Sequence, residues 1–504
     1  MLIQNIIIIF VNVIKLRGKK IMRKIKKMVA LATCAIMATS AIFTGCGKST
    51  GASSSNGDKL TTLTWYAIGE EPKDLDKVLA EANKYLEDKI NAHLDMKFIG
   101  FGDYNQKMSV VINSGEDYDL AFTCSWAGDY LGNSRKGAFL ELDEYLNSDT
   151  GKKLKETVDS RFWEGATIDG KIYGVPNQKE LGVAPMWTFT KEYVDKYNIP
   201  YQDIHSLEDL EPWLKVIKEN EPDVVPLYIT KGFSYTVFFD QLVDPVGIEA
   251  KDTSLTIKNM FETQEMKDRL NTLRKYYQAG YINADSATAQ DDKSVKRFVT
   301  KGDGQPYADT LWSKALNYPV VSSPIVDTLI TNGSTTGSLI AISNNSKNKD
   351  KAFEFLTLLN TDETLRNLIN YGVEGVHYEK VDNDHIKITN PDQKNYDVPY
   401  FSLGNLFITY KLEGEPASKW DEFKDFNDKS KVSPALGFKF DSSSVSNEIA
   451  AINNVLEEFK STLYSGSVDI DEYLGKLNAK LKEQGIDKVI TEMQKQVDEW
   501  KKTK

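Results

Sequence analysis

The hydrophobic pattern between residues 60 and 124 switches repeatedly between strand and helix periods, which limits the fold more than any other feature of the chain. Residues 60–66 are β-branched and aromatic and predict a strand. Residues 74–90 predict an amphipathic helix with Leu75, Val78, Leu79, Ala82 and Leu86 on one face, and 94–101 a second strand. A helix over 104–113 and a strand over 118–124 complete a β-α-β-α-β run. Such order requires crossover connections, hence a parallel sheet covered on both faces. Ligands of these sheets meet the carboxyl ends of the strands, which directs attention to the loops starting at Ala67 and Ser125.

The N-terminal region carries a different signal. Arg23, Lys24, Lys26 and Lys27 form a basic stretch, 29–43 is an apolar run too short to span a bilayer, and Thr44-Gly45-Cys46 closes it. This pattern resembles a bacterial lipoprotein signal, with Phe43 where Leu is usual. It implies cleavage before Cys46, lipidation of that thiol and a mature chain held outside the cell; a plain secretory signal or membrane anchor is the alternative. Met22 starts a complete signal by itself, so the true start is expected at Met22 with residues 1–21 a gene-start artefact; if translated, they would offer a further membrane segment. Residues 46–59 form a Gly/Ser-rich tether. Its Gly47-Lys-Ser-Thr and Gly47-x-Ser49-x-Gly51 patterns follow no strand and open no helix, so neither phosphate-loop nor nucleophile-elbow chemistry is expected there.

Residues 1–45 hold eight Lys and Arg and no acid, so the rest of the chain carries 54 basic against 73 acidic residues. Nucleic acid is a poor partner for that surface. The 459 residues from Cys46 onward suit two or three domains. Of three cysteines only Cys124 lies beyond the tether, which leaves no internal disulfide and no cysteine metal cage. His93, His205, His377 and His385 are scattered, with no pair on one helical face to suggest a zinc site or a serine triad. No cofactor or metal is expected, and the acid-rich run 421–428 lacks calcium-loop spacing.

Further along, 169–176 reads as a turn and an extended segment, 187–190 as a strand and 191–197 as a helix. Ser206 and Asp209 are spaced to open a helix over 206–219. Residues 261–280 predict a long helix ended by Gly280, 339–342 a buried strand, and 349–359 and 362–371 helices closed by Gly372. The region from Pro434 is mostly helical, and its last helix stripes Val489, Met493, Val497 and Trp500 along a docking face.

Several of these segments, in this order, resemble the extracellular solute-binding proteins of ABC importers, the group that includes oligosaccharide binders. Tyr118-Asp-Leu-Ala-Phe and Trp126-Ala-Gly-Asp129 resemble the third strand and its ligand-facing loop. Gly137-Ala-Phe-Leu-Glu-Leu-Asp143 and Asp169-Gly-Lys-Ile-Tyr-Gly-Val-Pro176 resemble the stretches before the first lobe crossing. Lys349-Asp-Lys-Ala-Phe-Glu-Phe-Leu356 and Tyr371-Gly-Val-Glu-Gly375 resemble the late helices and returning hinge. Pro434-Ala-Leu-Gly-Phe438, Gly466-Ser-Val-Asp-Ile470 and Gly485-Ile-Asp-Lys-Val489 are similar to the extra C-terminal domain of a Gram-positive subgroup.

The resemblance implies a two-lobe α/β fold of the periplasmic-binding-protein type (type II) with a mostly helical C-terminal extension. It allots residues 60–182 with about 334–374 to the first lobe, 183–333 with about 375–433 to the second, and 434–504 to the helical domain packed on the body. Lobe crossings are expected near 180–185, 334–337 and 372–376. The implied function is capture of a solute, a saccharide first among the choices, for ABC permease subunits by a monomer on the outer face of the cell membrane. Sugar rings present apolar faces and a rim of hydroxyls, so aromatics and carboxylates near strand ends are the candidate ligand contacts. These are Glu70, Trp126, Asp129, Glu180, Trp187, Tyr235, Trp312 and Glu374, whereas Trp65 and Trp163 are read as core. The alternative is a secreted carbohydrate-active hydrolase using paired carboxylates; no pair among the many acids stands out.

Overall fold

The computed structural model describes residues 60–391 and 395–503; the signal region, Cys46 and the tether lie outside the described residues. Its main strands are β1 (Thr61–Ile68), β2 (Ala92–Ile99), β3 (Leu120–Thr123), β4 (Val175–Pro176), β5 (Ala184–Thr190), β6 (Val225–Leu227), β7 (Arg297–Gly304), β8 (Val320–Pro324) and β9 (Leu339–Ile342). The first five predicted elements all form. The helix Leu75–Ile90 buries Leu75, Val78, Ala82 and Leu86, and Asn91 ends it in the left-handed region at φ 50°. Tyr104–Ser114 follows β2 and stops at Gly115, φ 71°.

Two sheets organise the body. The first has the order β2-β1-β3-β9-β4, with β1 parallel to β2 and β3, and β9 antiparallel to β3 and β4. The second has the order β8-β5-β7-β6, with β5 antiparallel to both its neighbours and β6 parallel to β7. The chain therefore leaves the first sheet after β4, builds the second from β5 to β8, and returns as β9, placing crossings in 177–183 and 325–338. A buried carboxylate fastens the returning strand: Asp119 accepts from the Thr64 backbone N–H, the Ser346 hydroxyl and the Asn348 amide, tying β1 to the loop after β9.

Core membership corrects the expected path of residues 372–433. His377 accepts from the Val373 N–H through Nδ1 and meets Asp74 at 3.2 Å through Nε2, so this turn is pinned to the start of the helix Leu75–Ile90. It is a first-lobe hairpin, not a crossing. Val398 and Leu403 join the apolar core of the first lobe, Phe401 packs on its second face, and the chain leaves that lobe only beyond them. Leu406, Trp420 and Phe423 then form a small cluster with Tyr307 of the second-lobe side.

The C-terminal helices Ser446–Tyr464, Ile470–Glu483 and Ile486–Trp500 share one continuous core with the second sheet. Val489, Met493 and Val497 are buried in it, and Trp500 packs on Phe438 with centroids 5.6 Å apart. Gly466 sits where a Cβ would come 2.4 Å from the Leu273 carbonyl oxygen, so only glycine lets this turn rest on the helix Gln264–Gln278.

Candidate ligand-binding cleft

The carboxyl ends of β1, β2 and β3 converge with two segments from elsewhere in the chain. Gly69, at φ 132°, lies so close to the loop around Pro399 that a Cβ would fall 2.8 Å from the proline ring. On the other side, the Ser125 N–H donates to the Thr336 carbonyl at 2.8 Å and the Ser125 hydroxyl to the Gly333 carbonyl at 3.1 Å. The Trp126 indole N–H donates to the Gly337 carbonyl at 2.9 Å. The loop after β3 is thus tied to the segment that returns from the second lobe.

These contacts assemble an aromatic floor. Trp126 stacks on Phe101 with centroids 6.3 Å apart and planes 19° from parallel, and it lies 5.7 Å from Phe122 and 6.3 Å from Phe401. Tyr400 meets Phe401 edge-on at 6.1 Å. Phe101 and Trp126 are each 49% exposed and Tyr400 39% exposed, a concentration of open aromatic surface next to parallel strand ends. Glu70 is exposed at the same edge, its Oε1 close against Gly100.

A buried arginine holds the loop that brings Tyr400 and Phe401 here. Arg366, on the helix Glu363–Tyr371, is fully buried and donates to the Asn405 and Tyr400 carbonyls and to the Asn370 side chain, at 3.0, 2.9 and 2.9 Å. With neutral acceptors only, burial pulls its basicity down to about 10. Ser338 and Asn177 grip the same loop through the Phe401 carbonyl and the Gly404 N–H.

The other sequence candidates fall into three groups. Trp187 and Tyr235 are corrected to core: β5 is an inner strand with partners on both sides, Trp187 is fully buried, and Tyr235 packs on it at 6.2 Å. Burial pushes the Tyr235 hydroxyl up to about 12. Asp129 and Glu374 are engaged locally. Asp129, at φ 42°, caps the helix Tyr130–Arg135 by accepting from the Gly132 N–H, and Glu374 sits on the exposed hairpin 3.7 Å from Lys380.

Glu180 and Trp312 have intermediate positions. Glu180 lies in the first crossing with Oε1 2.7 Å from Lys179 Nζ, while its other oxygen is shut from solvent and unpaired. Its charge adds to the burial that pushes the neighbouring Tyr400 hydroxyl up to about 12. Trp312, on the helix Ala308–Leu316, is partly buried against β7, where Cβ atoms on Gly302 and Gly304 would come 2.9 and 2.7 Å from its ring. Those glycines make a flat seat for the indole on the second lobe.

Phe101, Tyr400, Phe401 and Arg366 were not singled out by sequence. Phe101 read as the end of β2, and the Pro399-Tyr-Phe triplet lay in a stretch allotted to the other lobe. An aromatic pair directly after a proline in a loop was the available signal. Among the described residues no group of His, Cys, Asp and Glu is placed to hold a metal ion. The Cys124 thiol is buried, held by the Ala127 carbonyl and pushed up to about 11, which removes it as a nucleophile.

Comparison with known proteins identifies the family. Residues 81–375 match the model of the bacterial extracellular solute-binding proteins, and residues 434–502 match a domain of unknown function, DUF3502. A carbohydrate ABC transporter substrate-binding protein of Streptococcus pneumoniae is 37% identical over 95% of this chain and 99% of its own. The crystal structure of the N-glycan transport solute-binding protein NgtS from the same species superposes with a TM-score of 0.80 at 37% identity, covering 87% of this chain and 98% of that one. Two further structures of NgtS, in complex with Man1GlcNAc and Man5GlcNAc, superpose at 0.70 and 0.66. The two-lobe α/β architecture with its helical C-terminal region is therefore that of a solute-binding protein, and the chain belongs to the bacterial extracellular solute-binding proteins.

Proposed function

We propose that this protein captures an oligosaccharide between its two lobes and delivers it, as a lipid-anchored monomer, to the permease of an ABC importer. The observation that carries the reading is the floor of Phe101, Trp126, Tyr400 and Phe401, half open and set at the ends of parallel strands. Flat aromatic surfaces cover the apolar faces of sugar rings, and an exposed acid such as Glu70 takes hydroxyl hydrogen bonds at the edge. Trp312, seated on the opposite lobe, supplies a second face when the lobes approach.

NgtS is an N-glycan transport solute-binding protein, and two structures of it are complexes with Man1GlcNAc and Man5GlcNAc. An oligosaccharide of that class is accordingly the first ligand to try. Ligand drives closure only through its stronger binding to the closed form. Cys46 and the tether set the location, since a chain cleaved before that cysteine is held outside the cell by its lipid. The hydrolase alternative gains no support from the site. Near the floor, Glu70 is an exposed acid, Asp129 caps a helix and Glu180 is half of an ion pair.

Isothermal titration of residues 47–504 with Man5GlcNAc, maltopentaose and a pentapeptide tests the proposal. Saturable binding of a saccharide without turnover supports it. Binding of the peptide alone, or conversion of the sugar to product, overturns it.

A further inference from the structure

The C-terminal domain lacks an assigned role, and its first residues occupy a position that suggests one. Strand Lys431–Val432 pairs with Leu329–Ile330 of the second crossing, and the chain then runs directly between the lobes. Consecutive side chains enter different cores. Ala435 and Phe438 lie in the core shared by the second sheet and the C-terminal helices, while Leu436, between them, lies in the core of the first lobe. Ser433, just before, bonds the buried carboxylate of Asp240 on the second-lobe side.

The polar groups of this strip converge on one residue of the crossing. Asn332 donates to the Ala435 carbonyl at 2.8 Å and accepts from the Gly437 N–H at 2.8 Å and from Lys439 Nζ at 3.0 Å. The same Lys439 ammonium donates to the carbonyl of Gly165 on the first-lobe helix Ser160–Ala166. That helix is itself jammed against the crossing, since a Cβ on Gly165 would fall 1.8 Å from Thr335 Oγ1. The first lobe, the returning crossing and the C-terminal domain therefore meet at a single point.

From this convergence we infer that the C-terminal domain is a working part of the hinge: it rides with the second lobe, and its strip 435–439 is the pivot against which the first lobe turns. The inference rests on the capture reading, because a pivot matters only if the lobes move. Packing at the pivot limits which lobe angles are allowed, so it sets the open-closed equilibrium and hence the affinity at a cleft it does not touch.

Distance distributions between spin labels test it directly. Labels are attached at V110C, on the exposed face of the first lobe, and at K215C on the second, in residues 47–504; the one native cysteine in that span, Cys124, is buried. Lys439→Gln and Asn332→Ala each remove polar pivot contacts, with less volume lost than in Leu436→Ala, which removes the apolar pin. In ligand-free protein each variant is expected to broaden the distance distribution. Each is also expected to weaken Man5GlcNAc binding by about fivefold or more, the low end of coupling between distant sites. Should Leu436→Ala fail to fold, the two polar variants decide. Folded variants with wild-type distributions and wild-type affinity overturn the pivot. A wild type whose labels do not approach with any bound saccharide overturns the capture reading, an outcome separable from the first.

Discussion

Trp126→Ala is the substitution that most directly probes the cleft, because the ring does two measurable jobs. About half of it is buried against Phe101, Phe122 and Phe401, and half is open. A tryptophan side chain carries about 200 Å² of surface, so each half is about 100 Å², equivalent to about 2.5 kcal/mol at 25 cal/mol per Å². A sugar ring covering the open half would gain that amount, and its loss corresponds to a Kd about 70-fold higher. The buried half and the hydrogen bond to the Gly337 carbonyl make the stability loss similar, about 2–3 kcal/mol. The control is Trp187→Ala, where the fully buried ring predicts about 3–5 kcal/mol of stability lost and unchanged affinity in the folded fraction. Urea melts paired with calorimetric titration of Man5GlcNAc supply both quantities. Wild-type affinity in folded Trp126→Ala, or a larger affinity loss in Trp187→Ala, would refute the placement of the site.

Other perturbations reach different links of the argument. Arg366→Met strands the Tyr400 and Asn405 carbonyls in a dry interior and should cost about 3 kcal/mol or more in a urea melt, with reduced affinity because the Tyr400–Phe401 wall loses its tether. Lys439 offers a pH test. Burial, aided by Arg135, lowers its pKa to about 8 from 10.5, so between those values the unfolded chain binds more protons than the native one. Its contribution to stability therefore rises with pH across that window, and the wild-type minus Lys439→Gln difference in Tm should climb from pH 8 to 10; a flat difference would contradict it. Cys46→Ser should abolish lipid labelling and leave precursor uncut, and labelling that survives would remove the anchor.

How far the sequence could be read depended on whether a feature was local. The helix Leu75–Ile90 was legible because its apolar stripe is written at helical spacing, and Leu339–Ile342 because four apolar residues stand between polar flanks. That the latter returns antiparallel between β3 and β4 was not legible, since the pairing depends on a whole lobe inserted before it. Trp126 was singled out as a cleft candidate from its position two residues past the predicted strand end at Cys124. Trp187 was misplaced because a tryptophan at the start of a predicted strand looks the same in a cleft as in a sheet interior; its flanking strands β7 and β8 come much later in the chain, and Tyr235 packs on the ring from another segment.

The same dependence explains why the floor and the pivot escaped the sequence together. Phe101 and Trp126 come from the first strand-helix units, but Phe401 reaches them from a loop that Arg366, Asn177 and Ser338 hold from three other segments. Ser338 directly follows Gly337, whose carbonyl takes the Trp126 indole, and Asn332 a few residues earlier carries the pivot contacts. One short stretch of the returning crossing, 332–338, thus touches the aromatic floor at one end and the C-terminal domain at the other. Rotation of the lobes about that stretch cannot leave the floor unaltered, because the hydrogen bonds to Ser125 and Trp126 must follow it. Trp126→Phe isolates this coupling: it keeps an aromatic face for the sugar but cuts the bond to Gly337. If the crossing and the floor move as one unit, the variant should broaden the ligand-free label distances as Asn332→Ala does and weaken Man5GlcNAc binding by a similar factor of about five, well short of the loss expected for Trp126→Ala. Unchanged distances would mean that the floor is fixed by its aromatic packing alone.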